Sequence, residues 1–356
     1  MTLEQAIREI SPANRQVMEQ ARRHWDSLAK PLGSLGVLEE HVVRIAGLTG
    51  SQEVRLENGV LLVFCADNGV IAQGVSQSDA SVTAAVASAL GRGDSTVNHM
   101  AACANCRVIP VNVGMASDTP PGVLHRCVQA GTGDIATGPA MDRETCEKTI
   151  LTGMELARAQ KEAGADILLL GEMGIGNTTT SSAVASVLLG MEPEVLTGRG
   201  AGLSDAGLQR KLAAIRRAIT VNAPDPKDPV EVLRTVGGLD LAAICGAVLG
   251  GALYRVPVLL DGVITNVAAL CAVRLCPAAR DALLASHCSR EPAAGLLLKE
   301  LGLKPCISAG LRLGEGSGAV LALPLLDQAL AVYHSGHTFG ALGIDAYTPQ
   351  QEETPC

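Results

Sequence analysis

Apolar runs that end in a carboxylic acid with glycine close by constrain this chain more than any other feature. The run at 60–66 stops at Asp67, the run from 166 to 170 stops at Glu172, and the run at 256–260 stops at Asp261. None of them alternates apolar with polar residues, so each predicts a strand covered on both faces, as in a parallel sheet. The stretches between them carry helical signals. Leu35, Leu38, Val42, Ile45 and Leu48 lie on one stripe, and helices are predicted over 80–90, 142–162, 178–189, 205–221, 240–253, 263–274 and 319–334. Strand followed by helix, repeated, calls for a mostly parallel sheet with helices on both faces, a three-layer, Rossmann-like α/β fold. Residues 2–30 break that rhythm and predict two short helices interrupted at Ser11 and Pro12, with Ser11 as cap and Pro12 in the first turn. The tail, 345–356, is expected to fray.

Composition narrows the classes of function. With 47% hydrophobic and 18% charged residues the chain can bury a full core, which excludes wholesale disorder. A net charge of −8 with no basic cluster argues against a nucleic-acid partner. The 11 cysteines are scattered and odd in number, which suits free thiols in a reducing compartment. The N-terminus carries acids and no apolar run. The longest uncharged apolar stretch, 241–254, is shorter than the roughly 20 residues of a membrane span. A cytoplasmic location is expected.

Ligands of parallel sheets bind beyond the carboxyl ends of the strands, so Asp67, Glu172 and Asp261 are placed to converge on one crevice. Glu315, set between Gly314 and Gly316, has the same acid-plus-glycine form. An apolar surround would raise its pKa and suit it to accept a proton near neutrality. The loop 171–179 is the clearest anion-binding candidate. Gly174 and Gly176 permit close backbone approach, and Asn177, Thr178 and Thr179 offer donors where a helix begins. Residues 314–318 repeat the design with Ser317 as donor. Neither loop has the lysine of a triphosphate-binding loop or the glycine spacing of a dinucleotide site, so a single phosphate fits better. The missing dinucleotide fingerprint also argues against a dehydrogenase. Lys211, with Arg210, lies on a predicted helix and can reach an anion. His99, Cys103 and Cys106 have a plausible metal spacing but no nearby fourth ligand, and buried thiols are the expected reading, with no metal.

Taken together, KPLGSLGVLE at 30–39, CADNGV at 65–70, GEMGIGNTTTSSA at 171–183, VGGLDLAAICGAVLGGA at 236–252, LLDGVITNVAAL at 259–270 and LRLGEGSGAVLALPLL at 311–326 resemble, in order, the nicotinate-nucleotide–dimethylbenzimidazole phosphoribosyltransferases of cobalamin biosynthesis. The resemblance covers about residues 3–340. It implies transfer of a 5-phosphoribosyl group from nicotinate mononucleotide to 5,6-dimethylbenzimidazole, giving α-ribazole 5′-phosphate and nicotinate, without a cofactor. By the resemblance, Glu315 is the general base and Glu172 an acid beside it. Gly174, Gly176, Asn177, Thr178 and Thr179 hold phosphate and ribose, with Gly316, Ser317 and Gly318 as a second phosphate turn. Lys211 and Asp261 stand near the nucleotide, and Ser78 and Asn68 near the base pocket. It also implies a homodimer, and a large α/β domain at 55–320 with a small helical domain from 1–50 and 320–345. Many members have histidine where this chain has Asn68, which raises the alternative that another lower-ligand base is the acceptor: adenine, a substituted benzimidazole or a phenol.

Overall fold

A computed structural model of the chain describes residues 2–348; residues 349–356, most of the tail expected to fray, lie outside the described residues. Three helices lead: α1 (Leu3–Glu9), α2 (Arg15–Ser27) and α3 (Val37–Thr49). Strand β1 (Gly59–Ala66) is followed by α4 (Ala80–Arg92), α5 (Thr96–Cys103), β2 (Cys106–Gly114) and the short β3 (Leu124–His125). Then come α6 (Arg143–Glu162), β4 (Ile167–Met173), α7 (Asn177–Leu189), α8 (Pro193–Leu196), α9 (Asp205–Asn222), α10 (Pro229–Val236) and α11 (Leu239–Leu253). The chain continues through β5 (Val258–Leu260), α12 (Val263–Leu275), β6 (Leu283–His287), α13 (Ala294–Leu301), β7 (Pro305–Ile307), α14 (Ser317–Tyr333) and α15 (Phe339–Leu342).

The seven strands among the described residues pair in parallel, in the order β3-β2-β1-β4-β5-β6-β7. The period of two explains the absence of apolar–polar alternation. Val60, Leu62 and Phe64 of β1 join a core with α6, α11 and α12, whereas Leu61, Val63 and Cys65 join another with α2, α3 and α14. Both faces are dry, and each buried valine or leucine contributes about 1.5–3 kcal/mol. Helix α11, buried along its length except for Leu253, lies against α6 with Gly153 and Gly246 at the crossing. There a Cβ would meet the carbonyls of Ala243 and Ile150, so these helices need glycine to approach so closely.

The segments expected as a separate helical domain divide between the two faces of the sheet: α1 packs against α6 and α11, with Leu3, Ala6 and Ile10 in the first core, and α2, α3 and α14 lie on the second face. Trp25, Val42 and Tyr333 from the two ends of the chain share a core with the second face of the sheet instead of closing one of their own. Nor do Ser11 and Pro12 start a helix. They lie in the linker, and α2 is capped by Asn14, whose side chain accepts the N–H groups of Gln16 and Val17.

Candidate active site

From β1 the chain moves outward to β2 and β3, then returns to the other side of β1 as β4. The crevice beyond such a reversal is where open parallel sheets bind ligands. Here it is a cleft of about 280 Å³, lined by Glu172 at the end of β4, Asp261 after β5, His287 closing β6 and Glu315 before α14.

Glu172 is 8% exposed. Burial, and next to it the charge of Asp240, push its carboxyl up to about 8, opposed by the Asn177 amide, which donates to Oε2. Helix α7 begins without a side-chain cap, after Gly176 in the left-handed region. In its first turn the N–H of Asn177 goes to the Gly174 carbonyl (3.1 Å) and that of Thr179 to the Gly176 carbonyl (2.9 Å). The N–H of Thr178 has no partner among the described residues. Its hydroxyl accepts from Nζ of Lys211 at 2.8 Å, and Nζ also donates to the Gly198 carbonyl at 3.1 Å. Lys211 is wholly buried; desolvation draws its pKa down to about 8, with the carboxylate of Glu291 acting the other way. A free amide and a hydroxyl at a helix N-terminus thus stand at one end of the cleft, with the Lys211 ammonium buried behind them and off the wall, a setting that favours an anion.

The other glycine turn is built differently. Gly314, Glu315 and Gly316 all have positive φ, +84°, +60° and +88°. For glutamate that conformation costs about 1–3 kcal/mol, and such strain concentrates at functional positions. Asp261 holds the turn, accepting the N–H of Gly316 at 3.2 Å (Oδ2) and of Gly318 at 2.7 Å (Oδ1). The amide of Ser317 goes to the Gly314 carbonyl at 3.0 Å. The amides of Gly316, Ser317 and Gly318, expected as a second phosphate turn, are therefore taken within the chain, and a phosphate there would face the charge of Asp261. Asp261, expected near the nucleotide or in its supporting shell, braces the turn of Glu315 and also lines the cleft. From below, a Cβ on Gly171 would stand 2.5 Å from the Glu315 carbonyl carbon, so β4 also sets the height of the turn. Half-buried, Glu315 has its pKa raised by desolvation, against a backbone N–H from Val97, and Oε2 is left without a partner. His287 lies beside Asp261, Nδ1 to Oδ1 3.8 Å; burial lowers the pKa of the imidazole and raises that of the carboxyl.

Of the other residues singled out from the sequence, Asn68 is 1% exposed, buried behind the Gly174 turn and absent from the cleft wall. Ser78 also lies off the wall, in the turn before α4 that carries Ser76 and Gln77. Thr179 is wholly buried, and Gly176 lines a smaller side pocket. Asp67 turns away, accepting the N–H of Ala116 at 2.9 Å. His99 faces Asp94 at 3.3 Å. Sequence reasoning missed His287, Glu291, Arg312 and Asp240. His287 and Asp240 each follow or open an apolar run, a weak signal that was available. Glu291 and Arg312 stand in loops that only the fold brings to the cleft.

A phosphoribosyltransferase family model matches residues 10–344. The chain belongs to this family. It is 44% identical over 350 residues to the nicotinate-nucleotide–dimethylbenzimidazole phosphoribosyltransferase of Ruminiclostridium cellulolyticum, covering 98% of this chain and 99% of that one. To the enzyme of the same name from Desulforudis audaxviator it is 42% identical, covering 96% and 98%. The crystal structure of CobT from Thermus thermophilus superposes with a TM-score of 0.88 at 42% identity, over 93% of this chain and 99% of that one. The family's fold is thus the three-layer α/β arrangement described above, and the cleft with Glu172 and Glu315 is this member's candidate site.

Proposed function

We propose that this chain transfers the 5-phosphoribosyl group of nicotinate mononucleotide to 5,6-dimethylbenzimidazole, releasing nicotinate and forming α-ribazole 5′-phosphate for the lower loop of cobalamin. The observation that carries this reading is one cleft with an anion subsite at one end and a strained, raised-pKa carboxylate across from it. The phosphate takes the free amide and hydroxyl of Thr178, and the ammonium of Lys211, buried behind that hydroxyl, supplies positive charge without lining the cleft. Nicotinate leaves easily, because the bond from C1′ to the pyridinium nitrogen breaks with its electron pair neutralising the ring. The harder task is to activate a weakly nucleophilic ring nitrogen. The carboxylate of Glu315 takes the N–H proton of the benzimidazole while the other nitrogen attacks C1′. Attack on the face opposite nicotinate inverts the β-nucleotide to the α product. Arg312, the one arginine or lysine on the wall, suits the nicotinate carboxylate, and Val86, Ile175 and Leu313 offer an apolar slot for a flat base.

Asn68 stands behind the turn instead of in the wall, which removes one reason to expect an unusual acceptor. We also place the protein in the cytoplasm as a homodimer. Exposed Leu321 and Val332 on α14, with Leu342 and Ile344 beyond, support self-association. Incubation with nicotinate mononucleotide and a panel of benzimidazoles, adenine and phenols, resolved by mass spectrometry, tests the reading. Dimethylbenzimidazole should give the highest kcat/KM; no ribosylated product from any acceptor refutes it.

A further inference from the structure

Asp240 is a carboxylate to which the chemistry above gives no task. It lies in the first turn of α11 and is wholly buried. Oδ1 accepts the N–H of Leu241 at 2.9 Å, and Oδ2 has no hydrogen-bond partner. A half-satisfied buried carboxylate is costly to keep. The N-terminal end of α11 offsets part of that cost, but a solvated aspartate there would gain the same without burial.

Its surroundings point to the cleft. A Cβ on Gly174 would stand 2.8 Å from Oδ2 of Asp240 and 3.1 Å from Nδ2 of Asn68; one on Gly238 would stand 2.5 Å from Oδ1 of each. Asp240 and Asn68 thus form a buried polar floor beneath the turn that leads into Asn177. The Asn177 amide donates to Oε2 of Glu172, which leaves Oε1 as the atom turned toward Gly314, 2.9 Å from where its Cβ would be.

We propose that Asp240 is a positioning residue for the transfer reaction: with Asn177 between them, its buried charge keeps the Glu172 carboxyl neutral, with the proton on Oε1 facing the substrates. The proposal rests on the transferase reading above. Four acidic groups face Glu172: Asp240 from α11, Asp261 beyond β5, Glu315 before α14 and the Cys65 thiol from β1. No lysine or arginine is among them. Of the two carboxyls, burial raises Asp240 to about 6, held back by the Leu241 N–H and by the amides of Asn177 and Asn68, which lie near it without completing a hydrogen bond, while Glu172 is raised to about 8. Near neutrality the charge therefore settles on Asp240 and the proton on Glu172. A neutral Glu172 lets Glu315 ionise opposite it and serve as the base, since two facing carboxyls in a closed site do not both ionise readily.

The test is kcat against pH from 6 to 9.5 at saturating nicotinate mononucleotide and dimethylbenzimidazole, where the bound phosphate keeps Lys211 charged. The parent should lose activity through a limb near pH 8 as Glu172 ionises. Asp240→Asn should move that limb down by about one pH unit or more, with KM for the nucleotide at pH 6 within about threefold of the parent. Asn68→Ala, which leaves Asp240 less able to hold its charge, should move the limb the same way by less and leave acceptor preference unchanged. A folded Asp240→Asn with a superimposable profile, or with kcat lowered evenly at every pH, overturns the proposal. If that variant does not fold, an unshifted limb or an altered acceptor preference in Asn68→Ala overturns it. A parent without transfer at any pH refutes the transferase reading instead. Carboxyl ¹³C titration of Glu172 in the unliganded parent and Asp240→Asn then decides the role of Asp240 by itself.

Discussion

The two glycine turns that face each other across the cleft look like copies in the sequence, GEMGIGNTT and LGEGSG, and are opposites in the structure. Each puts an acid beside glycines, and each starts a helix from a left-handed glycine with no side-chain cap, Gly176 for α7 and Gly316 for α14. At α7 the amide of Thr178 is free and Lys211 stands behind it, so the helix terminus waits for an anion from outside. At α14 the anion is internal: Asp261 fills the terminus through Gly316 and Gly318, and the turn spends its donors on holding Glu315. The same local design therefore binds a ligand in one place and braces a catalytic side chain in the other. What decides is whether another strand end already supplies a carboxylate.

The contrast can be broken from either side. The largest effect is expected from Glu315→Gln, which keeps the turn and removes the base: kcat should fall about 10²–10⁴-fold with the melting temperature unchanged. A purified variant turning over near the parental rate would remove Glu315 from the chemistry. Next come the two termini as a pair. Asp261→Asn should lower kcat by about 10–100-fold and leave KM for the nucleotide nearly unchanged, the cost of a weakened charge-assisted brace. Thr178→Val should do the reverse, raising that KM about tenfold with kcat within a few-fold. If both variants move KM alone, the α14 turn binds phosphate after all.

A smaller effect sharpens the ligand side. The folded pKa of Lys211 is lowered to about 8, so its ammonium is present below that value and lost above it. Nucleotide affinity measured by calorimetry should weaken as pH rises through about 8, and Lys211→Met should be weak throughout and flat in that window. A parent whose affinity is level from pH 7 to 9 contradicts the assignment. Smallest of all, Glu315→Gly should stabilise the fold by about 1 kcal/mol, because glycine accepts φ of +60° freely, while abolishing transfer. A lower melting temperature would show that the glutamate is not strained.

The sequence made the frame legible because the frame is local. β1, β4 and β5 declare themselves by unbroken apolar runs, and the acids that follow them do end at the cleft, Asp67 excepted. β6 and β7 are short, with LLASH and PCI too brief for any period to show, so the wall carrying His287 stayed hidden. Turn glycines were visible, but the contents of each turn were not. Nothing around residue 316 announces that Asp261, far back in the chain, takes its amides. Asn68 shows the same limit. Its place next to Asp67 put it at the right strand end, and only packing sends its side chain behind the Gly174 turn.

The groups that move protons and one side chain that would touch an aromatic acceptor belong to separate parts of the molecule. Glu172, Asp240 and Asp261 are anchored at strand ends and a buried helix, whereas Val86 sits on α4; Ile175 and Leu313 share the turns that carry Glu172 and Glu315. A lineage that meets a new ring in its environment can re-cut the slot from the α4 side by single substitutions without disturbing the machinery behind it. Divergence of diet, so to speak, costs this architecture little.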